Sequence, residues 1–197
     1  ACNTATAVAL EEISQQLDIP VVGVILPGTR GAVKASKNQR IGVIGTLGTI
    51  KSQSYEQAIR SRDLNAHVIS LACPKFVPLV ESNQYQSPIA KKVVAETLVP
   101  LQNKKIDTLI LGCTHYPLLR PIIQNVMGRQ VKLIDSGAET ITEVSMLLDY
   151  FKLGNLYATK TGELTCYTTG STKLFDEIAN EWLQGPTIAS KHIQLGD

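Results

Sequence analysis

The sequence predicts an α/β fold: two pseudo-symmetric doubly wound domains with mostly parallel sheets, and a site in the cleft between them. Three observations carry this. Short β-type apolar runs alternate with helical stretches, the order that produces helix-covered parallel sheets. Leu109-Ile110-Leu111-Gly112-Cys113-Thr114-His115-Tyr116-Pro117 passes from such a run through a thiol, a hydroxyl and an imidazole into a helix. Ala1-Cys2-Asn3-Thr4 echoes it, with a small residue, a cysteine and polar groups ahead of another helix. Two such half-sites, one per domain, can face each other across a cleft.

Taken in order, Asn3 or Thr4 is expected to cap a helix carrying Ala5, Val8, Ala9, Leu10, Ile13 and Leu17 at helical spacing. Asp18-Ile19-Pro20 stops it, and Val21 to Ile25 reads as a short buried strand. Pro27-Gly28-Thr29-Arg30-Gly31 reads as a loop and a crossing between domains, followed by a short helix from Ala32 to Ser36. Arg40 to Thr46 is the next strand, and Thr49 is expected to cap a helix from Ile50 to Arg62. Ala66 to Ala72 is strand-like; Cys73-Pro74 then turns the chain into Phe76 to Glu81. Pro88 opens a helix to about Lys104, with Val93, Val94, Leu98 and Leu101 on one face. Beyond the central strand, Pro117 to Met127 is helical, Val131 to Ile134 a strand, Asp135-Ser136-Gly137 a turn, and Glu139 to Phe151 a helix. Leu164 to Thr168 is strand-like, Lys173 to Leu183 helical, and Ile188 to Leu195 holds a last short strand. The expected domains are residues 1–26 as the remainder of a first α/β domain, 27–136 as the second, and 137–197 returning to the first.

Composition narrows the function. The 197 residues are 44% apolar and 18% charged with a net charge of +2, and no Lys/Arg run exceeds two residues, so no nucleic-acid face is predicted. No apolar run approaches a membrane span and no export signal is read, so the four cysteines are expected as reduced thiols in a cytoplasmic protein.

The chemistry lies in Cys113-Thr114-His115. In open α/β sheets ligands bind outside the carboxyl ends of the strands, where free N–H groups and a helix dipole hold a carboxylate. The same field is expected to lower the Cys113 pKa. An ordinary thiol, pKa about 8.5, is only about 3% ionised at pH 7, so a partner beyond the dipole is needed. His115 supplies it, as a charge or as acceptor of the thiol proton. A second thiol, Cys2, on the opposite side of a substrate carbon allows one thiolate to remove an acidic hydrogen while the other thiol returns one. Such a reaction inverts the centre and needs no redox cofactor or metal. Cys73 and Cys166, in apolar surroundings, read as core residues, and His67 and His192 as surface or satisfied histidines. Cys113-x-His115 lacks the second ligand pair of a zinc site.

Ala1-Cys2-Asn3-Thr4-Ala5, Gly45-Thr46-Leu47-Gly48-Thr49, Leu71-Ala72-Cys73-Pro74 and Leu111-Gly112-Cys113-Thr114-His115-Tyr116-Pro117-Leu118-Leu119 resemble the glutamate racemases of the cofactor-independent aspartate/glutamate racemase superfamily. The resemblance implies a 1,1-proton transfer that interconverts L- and D-glutamate and supplies D-glutamate for peptidoglycan. It implies Cys2 and Cys113 as the acid/base pair, His115 as activator of Cys113, and Glu81 as the group orienting His115. Asn3, Thr4, Thr46, Thr114 and His115 become substrate-binding residues. It implies no cofactor, no metal, no nucleic acid and no membrane, and a homodimer; some relatives bind DNA gyrase. The family's Asp-Ser-Gly and Tyr-Gly motifs, expected before Cys-Asn-Thr, do not precede Cys2, so about 70 further residues are expected upstream, two or three βα units. Asp135-Ser136-Gly137 has the same letters but follows the second cysteine and is not assigned that role. The alternatives are a racemase of aspartate or a hydantoin, a cysteine hydrolase with Cys113 as nucleophile, or a non-catalytic gyrase-binding regulator.

Overall fold

In the computed structural model, residues 2–155, 162–183, 185 and 187–196 are described; Ala1 of the first motif lies outside them. They fall into two compact units, residues 1–153 and 154–197.

The first unit is built on a four-stranded, wholly parallel sheet. β1 (Arg40–Gly45) and β3 (Thr108–Gly112) are central, β2 (His67–Ala72) flanks β1, and β4 (Lys132–Asp135) flanks β3. All five residues of β3 are buried, and β1 is buried from Ile41 onward, so these apolar runs are continuous rather than alternating, as strands covered on both faces require. β2, at the sheet edge, carries His67 exposed on its first turn of chain. Gly45 and Gly112 stand opposite each other at the ends of β1 and β3. A Cβ on Gly112 would lie 2.7 Å from the Ile44 carbonyl oxygen, so only glycine lets the chain leave β3 this close to its neighbour.

Helices occupy both sides of the strands. Expected helices are found as α1 (Asn3–Gln16), α6 (Pro88–Gln102) and α8 (Ser136–Tyr150), and the segment after Cys73-Pro74, given no type from the sequence, forms α5 (Phe76–Glu81). Five expectations are corrected. Val21 to Ile25 forms no ladder: its half-buried residues line an apolar groove with Leu10, Leu147 and Phe151, and no strand among the described residues runs alongside to pair with them. Pro27 to Gly31 is not a loop but lies inside α2 (Ile25–Ala35). Pro27 falls in the first turn, where its missing N–H costs nothing. The two glycines serve packing: a Cβ on Gly28 would reach Ser136 Cβ at 3.0 Å, and one on Gly31 would reach Glu139 at 2.7 Å.

The third correction concerns Thr49. The capping residue is Thr46, whose hydroxyl accepts from the Thr49 N–H at 3.2 Å, and the helix is split into α3 (Leu47–Lys51) and α4 (Ser54–Arg62) by Gln53 in the left-handed conformation. The fourth lies after Cys113. The chain enters a 3₁₀ turn (Tyr116–Leu119) before α7 (Arg120–Met127), rather than one helix from Pro117. Cys2, not Asn3 or Thr4, holds the capping position of α1, because the Asn3 carboxamide is turned inward.

In the second unit, β5 (Tyr167–Thr168) and β6 (Lys191–His192) pair in parallel, and α9 (Thr172–Leu183) runs between them in sequence. Asn180 fastens α9 to the chain ahead of β6, accepting from Ile188 N at 2.7 Å and donating to Ile188 O at 3.0 Å. Cys166, expected in a core, is half-buried, and His192 is exposed. No described helix is long and apolar enough to cross a membrane.

At the amino end of the sheet, Asp107 staples the segment after α2 to the start of β3. Its carboxylate accepts from Ser36 Oγ at 2.7 Å, Lys37 N at 2.6 Å and Asn38 N at 2.8 Å. Partial burial opposes the charge, but these donors and the Thr108 hydroxyl outweigh it and hold the carboxyl below its ordinary value. A depressed folded-state pKa contributes stability in full above the unfolded value, about 3.9, and loses it as pH falls through the folded value. Asp107→Asn is expected to lower stability by about 1 kcal/mol near pH 7, allowing for solvent screening at this half-exposed site. The gap between urea melts of the two proteins should begin to close as pH falls below about 4 and vanish below the folded value of Asp107; a gap that stays constant on acidification contradicts this account.

Candidate active site

The loops leaving the carboxyl ends of the four strands bring the site together. Cys113 follows β3 directly and is 7% exposed, on the wall of a cavity of about 300 Å³ shared with Asn3, Thr114, Asp135 and Ser136. His115 Nδ1 lies 3.8 Å from Cys113 Sγ and 3.2 Å from Thr114 Oγ1, while His115 Nε2 lies 3.1 Å from Glu81 Oε1. With Nε2–H donating to the Glu81 carboxylate, Nδ1 of the neutral ring carries one lone pair. Both the Cys113 thiol and the Thr114 hydroxyl are placed to donate to it.

Glu81 is far from His115 in sequence, and buried aromatic packing brings it near. Tyr116, fully buried, donates from its hydroxyl to the Cys73 carbonyl oxygen at 2.9 Å and meets Phe76 edge-on with ring centroids 5.1 Å apart. These two contacts fasten the loop after β3 to the loop after β2. α5 begins at Phe76, and its last residue, Glu81, is thereby carried to the imidazole.

Contrary to the expectation of a lowered pKa, burial pushes the Cys113 thiol up. Hydrogen bonds from the His115 backbone and from Thr114 act the other way, and negative charge on Cys2 adds to the rise. The dipole argument fails because the turn beyond Cys113 is a four-residue 3₁₀ segment, with too few aligned peptides to build the field of a helix. Cys2 is exposed, at the capping position of α1. Cys73, as expected, is core: it is fully buried, and burial pushes its thiol up to about 12.

The remaining expected residues fall into two groups. Thr4 Oγ1 lies 2.8 Å from Thr46 Oγ1 and 3.0 Å from Thr49 Oγ1, and the latter two are 3.1 Å apart, so three hydroxyls form one cluster where α1 meets the loop after β1. Asn3, 2% exposed, accepts from the Tyr55 hydroxyl at 2.6 Å and from Ser136 Oγ at 3.3 Å. Thr49, Tyr55 and Ser136 were missed by the sequence reading. Tyr55 sits on an apolar helix face and reads as core, and Ser136 reads as part of a turn. Among the described residues no three His, Cys, Asp or Glu side chains gather as a metal site.

A parallel sheet with a thiol, an imidazole and a carboxylate in a row at its carboxyl end is the architecture of an α/β enzyme equipped to move protons. The chain belongs to the Asp/Glu/Hydantoin racemase family, whose model matches residues 1–144. Glutamate racemase of Enterococcus faecalis is 66% identical over 196 residues, spanning all of this chain and 72% of that protein. Glutamate racemase isoform RacE1 from Bacillus anthracis has a crystal structure matching with a TM-score of 0.91 at 42% identity, over 98% of this chain and 72% of that one. Glutamate racemase from Francisella tularensis, solved in complex with D-glutamate, matches with a TM-score of 0.85 at 32% identity, over 100% of this chain and 71% of that one.

The burial pattern predicts a labelling order. Iodoacetamide at about pH 7.5 should modify exposed Cys2 first and Cys113 slowly, with the Cys113 rate rising as pH increases, and should leave Cys73 untouched in the folded protein. Peptide mass spectrometry reads all three; Cys113 reacting fully at neutral pH with no pH dependence contradicts the raised thiol.

Proposed function

We propose that this chain interconverts L- and D-glutamate by a two-thiol acid/base reaction, providing the D-enantiomer for peptidoglycan. One thiolate takes the α-hydrogen as a proton, leaving a planar carbanion. The other thiol then delivers a proton to the opposite face, so the roles of the two sulfurs exchange with each inversion. Cys2 and Cys113 are the two sulfurs. His115 accepts the Cys113 proton at Nδ1, and Glu81 orients the ring through Nε2. Asn3, Thr4, Thr46 and Thr114 hold the substrate's polar groups together with His115. The observation that carries this reading is the row of Cys113, His115 and Glu81, with Nδ1 3.8 Å from the Cys113 sulfur and Nε2 3.1 Å from the Glu81 carboxylate, beside the cavity that Asn3 and Thr114 also line. The relatives named above, called glutamate racemases, support glutamate as the substrate rather than aspartate or a hydantoin.

The same reading needs no cofactor, sets the reaction in the cytoplasm and takes a homodimer as the working form, which sedimentation tests directly. Pure L-glutamate, incubated with the protein and no added cofactor, should lose its circular dichroism and gain deuterium at Cα in D₂O. Cys2→Ser and Cys113→Ser should each slow this at least about 100-fold. Normal racemisation by Cys2→Ser overturns the two-thiol mechanism, and full inactivation by dialysis against EDTA overturns the cofactor-free one.

The relay makes its own prediction. His115→Asn should lower kcat about 100-fold, and Glu81→Gln by a smaller factor, with KM little changed in both. A change confined to KM would instead make these two residues substrate holders only.

A further inference from the structure

Asn3 Oδ1 has two lone pairs, and two hydroxyls are aimed at it: Tyr55 Oη at 2.6 Å and Ser136 Oγ at 3.3 Å. Tyr55 is 2% exposed, and burial keeps its phenol protonated, so it has a hydrogen to place. Ser136 Oγ also lies 3.3 Å from the Leu111 carbonyl oxygen on β3, so its one hydrogen is shared between that oxygen and Asn3 Oδ1, and Tyr55 is the shorter and stronger donor. Asn3 Nδ2 has no partner among the described residues, yet Asn3 lines the cavity that Cys113 and Thr114 also line.

We propose that Tyr55 and Ser136 are positioning residues that lock the Asn3 amide, directing its NH₂ group into the Cys113 cavity as a double donor for a substrate carboxylate. This deepens the proposed glutamate reaction and rests on that reading for the identity of the carboxylate. An asparagine amide is nearly symmetric in shape, and the two ends differ only in hydrogen bonding. With the amide reversed, the cavity would receive a carbonyl oxygen, which repels a carboxylate, and the buried Tyr55 hydroxyl would lose its acceptor. A residue that binds an anion through a reversible amide therefore needs an external device to hold one orientation. The Tyr55 hydroxyl provides it, with the shared Ser136 hydrogen as support, and the two come from separate elements, α4 and the start of α8, so folding of the sheet unit sets the polarity of the site.

The test reads orientation and function separately. Nuclear Overhauser contacts from the Asn3 side-chain amide protons in ¹⁵N-labelled protein should run most strongly to Cys113 and Thr114. In Tyr55→Phe, which keeps the ring, they should weaken or split into two sets. Kinetically, Tyr55→Phe should raise KM for L-glutamate about tenfold with kcat changed less than about threefold. In an Asn3→Ala background the same substitution should add nothing to KM. Ser136→Ala should act in the same direction as Tyr55→Phe. The proposal is overturned if the amide protons contact chiefly Tyr55 and Ser136, or if Tyr55→Phe raises KM equally in both backgrounds. Absence of glutamate racemisation by the unsubstituted protein would sink the parent reading instead, and the Overhauser pattern would still decide how the amide is held.

Discussion

Because β1, β2, β3 and β4 all run in one direction, their carboxyl ends share a single edge, and the site residues that the strands carry are gathered there. Thr46 leaves β1, Cys73 and α5 follow β2, Cys113 to His115 leave β3, and Asp135 ends β4 with Ser136 after it. An antiparallel arrangement of the same strands would send half of these groups to the far side. The parallel order in turn depends on helical crossovers between strands, which is why the packing glycines of α2 and the close approach at Gly112 matter to a site they do not enter. The opposite edge is closed by Asp107, whose donors are backbone amides and hydroxyls with no part in the site.

The alternation of strands and helices was legible because buried parallel strands leave continuous apolar runs, as at Leu109 to Leu111 and Ile41 to Ile44. Cys113, Thr114 and His115 were legible because they are contiguous. What escaped has a common physical cause. Tyr55 and Ser136 meet Asn3 across 52 and 133 residues of sequence, and neither carries a local pattern that differs from a core aromatic or a turn hydroxyl. Val21 to Ile25 has the residues of a strand, but a strand is defined by the neighbour that completes its hydrogen bonds, which no local pattern supplies. Pro27 to Gly31 has the residues of a loop, yet Pro fits a first helical turn and the glycines answer to the helix packed beside them.

The expected thiolate at Cys113 shows how a correct motif can carry an incorrect field. The sequence argument assumed that Pro117 opens a helix and that its dipole acts on the sulfur. Pro117 does begin a helical turn, but of the 3₁₀ kind, and burial of the thiol then outweighs the donors around it. Any lowering must come from the imidazole at Nδ1, from Thr114, or from the cationic ammonium of a bound amino acid, each of which acts at short range. A raised pKa favours the protonated thiol, and the thiolate is the form that reacts.

That restraint suits the chemistry proposed for the pair. A proton transfer through an inverting carbon requires one sulfur charged and one neutral at the start, and the reverse at the end. If both thiols ionised easily, the second proton would be missing; if neither did, the first could not be taken. Negative charge on Cys2 raises the cost of ionising Cys113, so the doubly charged state is disfavoured. The interaction that opposes a second charge thus favours the single negative charge on which the proposed exchange of roles depends.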